Sequence, residues 1–484
     1  MTLTAKNADD SCLVNQTVPA GGLIPPPERH EKISNPNLKS NPHADHRRSD
    51  GLARCESLPG PILPGPTNAT VDDPEDEVDA DFPEGGTQAW LVVLGSFCAM
   101  VSVYGIINSA AVFESYFSTH QLEGYSSSTI GWLFSLYLFI VFFAGIQVGP
   151  IFDRHGPRIL VAVGSLLVVA SQLLLGLCTK YYQILLTYSV LGGLGGALLN
   201  VPAYGVIAHF FKARRGFATG IAATSGSVGG IVFPLYLQAV IPKLGFAWST
   251  RIIGFILLFL SVIANLLIRT RLPPSTRKAS VFPDWSLFKD LKFTLSCLGI
   301  WFMEWGIFIP LTFIVSYAAA HGQDANDSYT LLALLNVGSF FGRFLPGFLA
   351  DKIGRFNVIV ITNALCAITV LAFWLPAGDN RALLIVFAVT FGFASGSNLG
   401  LYPVCIGQLC DARDYGRFYS TALMTGSFGT LTSVPIGGAL LGLGHGEQGW
   451  QALIIFSALS YVIAMSCFLG ARVVAVSWRV KEVF

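Results

Sequence analysis

From residue 89 onward, apolar runs of about 20 residues alternate with short polar connections, and twelve such runs can be marked before the C-terminus. They cover roughly 89–113, 129–151, 157–178, 182–210, 215–240, 249–269, 292–319, 327–350, 356–375, 381–406, 416–442 and 449–472. A helix of that length crosses the hydrocarbon core of a bilayer. The chain therefore reads as an all-α membrane protein with twelve transmembrane helices. Composition agrees: 52% of residues are apolar and only 12% charged, about half the charged share of a soluble domain. That is far more apolar surface than one soluble core hides. Many of the 50 glycines fall inside the runs, as at Gly192, Gly193, Gly195 and Gly196, or Gly338 and Gly342, or Gly392, Gly396 and Gly400. Small residues so spaced let membrane helices approach closely. A net charge of +1 points to neither a nucleic-acid partner nor a polybasic membrane anchor.

The stretch GPIFDRHG, Gly149 to Gly156, returns as GFLADKIG, Gly347 to Gly354, 198 residues later. Each copy lies between the second and third run of its half. The offset equals about six helix-plus-loop units, so the repeating unit is a six-helix half. This divides the chain into a tail at 1–84, a first half at 85–270, a linker at 271–291, a second half at 292–472 and a short tail at 473–484. Residues 1–84 are rich in Pro, Ser, Asn and Asp and turn acidic from Asp72 to Glu84. Such a segment buries too little apolar surface to offset its ordering entropy and is expected to be disordered. Either a regulatory tail or an inert solvated one fits that composition.

Loop Lys and Arg mark the cytoplasmic side. The loops after runs 2, 4, 6, 8 and 10 carry fifteen of them and the opposite loops four, so both termini are expected in the cytoplasm, with the plasma membrane as the default location. Asn326 then sits in an external sequon close to the bilayer, a glycosylation candidate, while the sequons at Asn15 and Asn68 are on the wrong side. Seven of the nine cysteines fall in or beside apolar runs and read as small packing residues. No spacing suggests a metal site, a disulfide framework or a bound cofactor.

Three stretches carry a family likeness: EGGTQAWLVVLGSF entering the first run, HFFKARRGFATGIAATSGSVGG between the fourth and fifth, and FMEWGIFIPLTFIVSY in the seventh. Together they resemble the monocarboxylate transporter family of the major facilitator superfamily, particularly its fungal branch, over about residues 84–472. The resemblance implies two parallel six-helix pseudo-repeats with a substrate site at their interface, and a carrier that works by alternating access. It further implies a Lys in the first span and an Asp/Arg pair in the eighth for proton and carboxylate. Here Arg343 matches the Arg, but the Asp position holds Ser339 and the Lys position Asn108. Two of the three ionisable groups are thus neutral.

An Arg within a span is expensive unless it faces a polar cavity or a partner, and its planar fork suits a carboxylate. Arg343 is therefore the leading anion contact, or else a structural group that pairs with backbone carbonyls. Glu304 in the seventh run is the second buried charge. It has three readings: a proton-coupling group for symport, a salt-bridge partner of Arg343, or a protonated structural residue. Spans 1, 4, 7 and 10 line the cavity in the fold that the resemblance implies. Asn108, Tyr104, Asn200, Tyr204 and Asn398 stand on three of them as weaker substrate-contact candidates or as helix-packing hydrogen bonds. Asp153, Arg154, Arg158, Asp351, Lys352 and Arg355, from the repeated motif and its flanks, read as gating hardware. Their carboxylates favour helix N-termini, and their cations are expected to pair across the seam in one access state, or else to serve only as topology signals.

No Gly-Lys-Ser phosphate loop for ATP is present, and nothing points to an enzyme. The reading is a secondary carrier of a small, monocarboxylate-like organic anion, with protons as a possible second partner. Its rivals are an exporter of a fungal secondary metabolite and a transporter-like nutrient sensor.

Overall fold

The computed structural model describes residues 82–272, 284–323, 325–443 and 447–477, apart from the side chains of 127, 128, 325–329 and 443. The expected tail at 1–81 and the sequons at Asn15 and Asn68 lie outside the described residues, as does most of the linker, 273–283. Everything described belongs to one compact unit, Val71–Phe484.

Every run forms a helix. Span 1 is Gly86–Asn108, continued after a break at Ser109 by Ala110–Thr119. Span 2 is Ser127–Phe143 followed by Gly145–His155, and span 3 is Arg158–Leu175. Span 4 opens at Tyr181–Ile184, passes through a π-helical stretch at Leu185–Gly192 and ends as Gly193–Phe210. Arg215–Ala223 and Ser225–Leu267 together hold spans 5 and 6. They part at Gly245, whose φ of 75° is not helical. Spans 7 and 8 are Leu291–Ala320 and Ala325–Ile353. Span 9 is Arg355–Thr369 with a π-helical end at Val370–Trp374. Spans 10, 11 and 12 are Arg381–Gln408, Tyr415–Leu443 and Glu447–Val476.

Ten helical stretches among the described residues are long and apolar enough to cross a membrane. One of them, 215–267, is the pair of spans broken at Gly245. The remaining run forms span 11, a helix over Tyr415–Leu443.

Local chemistry sets the helix ends. Asp290 accepts the backbone N–H of Lys292 at 2.9 Å to open span 7, and Asn380 accepts those of Ala382 and Leu383 at 3.0 and 3.3 Å to open span 10. Such side-chain oxygens satisfy donors that the first helical turn leaves orphaned. The last glycine of each motif copy stops its helix: Gly156 and Gly354 have φ of 76° and 100°, a region where a side chain is strained.

Glycine contacts hold the helices of each half together. A Cβ on Gly342 would lie 2.0 Å from the carbonyl oxygen of Phe393, and one on Gly392 would lie 2.1 Å from that of Leu335, so spans 8 and 10 meet backbone to backbone. Gly164 and Gly195 do the same for spans 3 and 4. Large apolar side chains such as Ile159, Leu166, Phe259 and Leu266 point outward, as the lipid-facing surface of a bundle requires.

Candidate substrate cavity and the seam between the halves

Arg343, in the second half of span 8, lies at the seam, buried to 7% exposure. Its Nε donates to Ser339 Oγ, one turn earlier, at 3.2 Å, and its Nη1 to the carbonyl oxygen of Ala223 in the other half at 2.5 Å. Ala223 ends the first helical piece of span 5, where the break before Ser225 leaves that carbonyl to accept from a side chain. Gly226 gives the guanidinium room: a Cβ there would lie 2.2 Å from Nη1. Tyr204, Tyr104 and Tyr402 stand within electrostatic reach of the cation. No carboxylate pairs with it among the described residues.

The first-half polar candidates gather beside it. Tyr104 donates to Asn200 Oδ1 at 3.0 Å, and Asn108 donates to the carbonyl oxygens of Tyr104 and Gly226 at 2.9 and 3.1 Å. Tyr104 and Asn108 are only partly buried, whereas Asn200 and Tyr204 are buried. Asn336 on span 8 approaches Asn108 across Gly230. Asn398 makes the helix-packing bonds that are the second of its two readings: its Oδ1 accepts from Thr362 at 2.6 Å and from Asn363 at 3.4 Å, and its Nδ2 meets Cys366 Sγ. It binds span 9 to span 10. Tyr402, one turn further along span 10, is the residue that reaches Arg343.

Glu304 is 2% exposed and accepts from Thr430 Oγ1 at 3.3 Å, which links spans 7 and 11. It makes no ion pair with Arg343. Of its three sequence readings, the salt bridge is therefore not what the structure holds.

From Arg343 a column of tyrosine rings leads toward the end of the bundle that carries the basic loops. Tyr204 and Tyr419 are 5.4 Å apart, Tyr402 and Tyr419 stack at 6.2 Å, and Tyr415 and Tyr419 stack at 5.4 Å. Tyr415 is the first residue of span 11. Sequence reading missed Tyr402, Tyr415 and Tyr419. The i, i+4 spacing of Tyr415 and Tyr419 was a usable signal, but it did not say that Tyr204 and Tyr402 would meet them.

At that same end the repeated motif docks reciprocally. Asp153 of the first half accepts the backbone N–H groups of Gly416 and Arg417, at 2.9 and 2.8 Å, at the start of span 11. Asp351 of the second half accepts those of Gly216 and Phe217, both at 2.9 Å, at the start of span 5. The motif glycines make the approach possible: a Cβ on Gly149 would lie 2.2 Å from the oxygen of Gly416, and one on Gly347 would lie 2.4 Å from that of Gly216. A carboxylate on two orphan N–H groups also meets the positive end of the helix dipole.

The basic residues of the motif behave unequally. Arg355 crosses the seam to the carbonyl oxygen of Lys212 and lies 3.5 Å from Asp351. Lys352 lies over the Phe348 ring of its own helix, and Arg154 and Arg158 are exposed without an ion pair among the described residues. Arg215, from the Arg-Arg-Gly stretch, is a seam contact that sequence reading did not single out. It is buried and donates to the carbonyl oxygens of Phe211 and, across the seam, Gly407, at 3.0 and 2.6 Å.

Two of the stretches that carry the family likeness touch each other. Glu84 accepts the backbone N–H groups of Lys212 and Ala213 at 2.7 and 2.6 Å on one oxygen and that of Arg214 at 3.0 Å on the other. Phe82 lies against Lys212 and Arg271. Asn326 falls in the first turn of span 8, its side chain outside those described. Among the described residues no group of His, Cys, Asp or Glu is placed to hold a metal ion.

The twelve helices in two docked halves match a known family model, Major Facilitator Superfamily, over residues 92–430 and 294–483. The chain belongs to the major facilitator superfamily. Among curated relatives, it is 40% identical over 396 residues to the MFS-type transporter opdF of Penicillium oxalicum, covering 82% of this chain and 93% of that one. It is 36% identical over 430 residues to the riboflavin transporter MCH5 of Saccharomyces cerevisiae, covering 84% and 82%. It is 35% identical over 402 residues to the aspyridones efflux protein apdF of Emericella nidulans, covering 83% and 81%. The crystal structure of the transporter FucP in the outward conformation matches with a TM-score of 0.62 at 17% identity, over 79% of this chain and 98% of that one. As a major facilitator transporter, the protein binds small-molecule substrates within a membrane.

Proposed function

We propose that this transporter exports a ring-containing fungal metabolite that bears an anionic or strongly hydrogen-bond-accepting group. The observation that carries the reading is Arg343: a buried guanidinium with no carboxylate partner among the described residues, set among Tyr204, Tyr104 and Tyr402. Its fork grips an oxyanion or a pair of carbonyl oxygens. Tyrosine faces accept conjugated rings by stacking and their hydroxyls accept or donate at the ring edge. A monocarboxylate of a few carbons leaves such rings unused, and the neutral Asn108 and Ser339 depart from the monocarboxylate pattern. The relatives support the export reading, since one is named an aspyridones efflux protein and another a fujikurins efflux protein.

In this reading the tyrosine column and the reciprocal Asp153 and Asp351 contacts form the closed cytoplasmic gate, both termini are cytoplasmic, and the cavity is reached from outside. Glu304 carries the coupling proton. It is a buried carboxyl without a cation beside it among the described residues, and its partner Thr430 lies on span 11, which the gate moves.

The test is flux in proteoliposomes. Conjugated cyclic metabolites and short carboxylates are each presented with and without a pH gradient, to wild type, Arg343→Ala and Glu304→Gln. Export driven by the gradient for the cyclic compounds alone, lost in both variants, is the expected result. Transport of short carboxylates at equal rate returns the reading to a monocarboxylate carrier. No flux of either class, together with a signalling defect in cells lacking the protein, favours a sensor.

A further inference from the structure

Between the basic-loop ends of spans 3 and 6 lies a cavity of about 260 Å³ lined by Arg158, Val161, Asn265, Leu266, Ile268 and Arg269. It is remote from the seam, on the outer wall of the first half. Asn265, one of its lining residues, ties the two spans together by donating to Ser165 Oγ on span 3 at 2.9 Å and to the Ser261 carbonyl on its own helix at 2.8 Å. Arg158 and Arg269 flank the mouth, and neither has a hydrogen-bond or ion-pair partner among the described residues. Two arginines without an ion-pair partner among the described residues thus line a space large enough for a phosphate-sized group.

Apolar side chains continue from that mouth along both helices toward the middle of the bilayer. On span 3 they are Ile159 and Leu166, 70% and 69% exposed, and on span 6 Leu266 and Phe259, 62% and 66% exposed. Residues 159 and 166, like 259 and 266, are seven apart and so share one helix face. A free anion would use the arginines and leave these stripes idle. A molecule with an anionic head and two apolar chains uses both.

We propose that this is a binding site for one anionic phospholipid, its phosphate held by Arg158 and Arg269 and its acyl chains lying along the stripes of spans 3 and 6. Arginine pairs bind phosphate oxygens in forked geometry, and the cytoplasmic leaflet supplies such lipids. The inference rests on the cytoplasmic orientation proposed above. It gives Arg158 a partner in the membrane rather than a place in the gate.

Native mass spectrometry of the full chain in detergent, offered phosphatidylserine, phosphatidylcholine or inorganic phosphate, tests it. The lipid is presented from either side in detergent, so failure of the orientation alone leaves the measured preference unchanged. The expected result is retention of phosphatidylserine over phosphatidylcholine and a rise in thermal midpoint with phosphatidylserine that phosphate does not reproduce. Arg158→Gln and Arg269→Gln should each weaken retention by roughly fivefold, while Arg251→Gln at the other end of span 6 leaves it unchanged. Equal retention of both lipids, full protection by inorganic phosphate, or an undiminished preference in the double glutamine variant overturns the proposal. If the double variant cannot be purified, the wild type and the single Arg269→Gln variant decide between the same outcomes.

Discussion

Arg343 ties span 8 to span 5 across the seam through one side chain, its Nη1 donating to Ala223 and its Nε to Ser339, and in the proposed function the same fork meets the substrate. Lysine has the charge but not the fork. Arg343→Lys should therefore lose at least one charge-assisted hydrogen bond, about 1.5–3 kcal/mol, which lowers kcat/KM for export by roughly ten- to a hundredfold. Proteoliposome flux with unchanged chromatographic behaviour checks it; wild-type flux in Arg343→Lys would show that charge alone suffices. Glycine positions divide in the same residue-by-residue way. Gly342→Ala places a Cβ 2.0 Å from a backbone carbonyl of span 10, whereas Gly438→Ala meets nothing within 4 Å. The first should destabilise by about 1–3 kcal/mol through overpacking and the second should be close to neutral, as thermal unfolding in detergent will read.

Among the elements, the starts of spans 5 and 11 are where the repeated motif docks, and they are the moving parts of the proposed gate. Asp153→Asn or Asp351→Asn keeps an acceptor oxygen but removes the charge that faces two N–H groups and the helix dipole. Each should weaken the closed gate by about 1–2 kcal/mol, shifting the ratio of states roughly five- to thirtyfold toward opening at that end. Distances between spin labels on the two halves measure the shift, and an unchanged distribution in both variants would remove these residues from gating. Span 11 has a second tether. Asp284, ahead of span 7, accepts from the Ser286 hydroxyl and lies 3.7 Å from Arg417. The Ser286 hydroxyl, with help from its backbone N–H and from Arg417, holds the Asp284 carboxyl below the usual carboxylate range. A depressed folded-state value means that the contribution is present above the unfolded-state value, about 3.9, and is lost as pH falls through the folded one. Asp284→Asn should thus flatten the acid limb of thermal stability without changing the midpoint's pH dependence nearer neutrality.

For the whole molecule, Glu84 ties the entry of span 1 to the loop between spans 4 and 5, so that the first half presents the start of span 5 as a fixed socket for Asp351. Glu84→Ala leaves three N–H groups without their acceptor. It should lower thermal stability and slow flux together, while a deletion of residues 1–81 that retains Phe82 and Glu84 leaves flux intact. Comparing the two proteins in one transport assay separates the clamp from the tail, and loss of flux in the 1–81 deletion would assign the tail a transport role.

The sequence alone determined that this chain is a helical membrane protein of two six-helix halves. Run length and the need to satisfy every backbone group in lipid are local properties, legible residue by residue, and so is a motif that returns at a fixed offset. Arg343 as a buried cation in the eighth span was legible for the same reason, since a charge in an apolar run stands out without any knowledge of its neighbours. Only the tertiary structure decided what those groups face. That each Asp caps a helix of the opposite half, that Asn398 turns to span 9, and that Glu304 meets Thr430 instead of Arg343 all depend on helix rotation and on contacts between residues more than a hundred positions apart, apart from the nearer span 9 pair. Rotation is set by backbone-to-backbone glycine packing between spans, and a hydropathy pattern that is apolar on all sides of a helix carries no record of it.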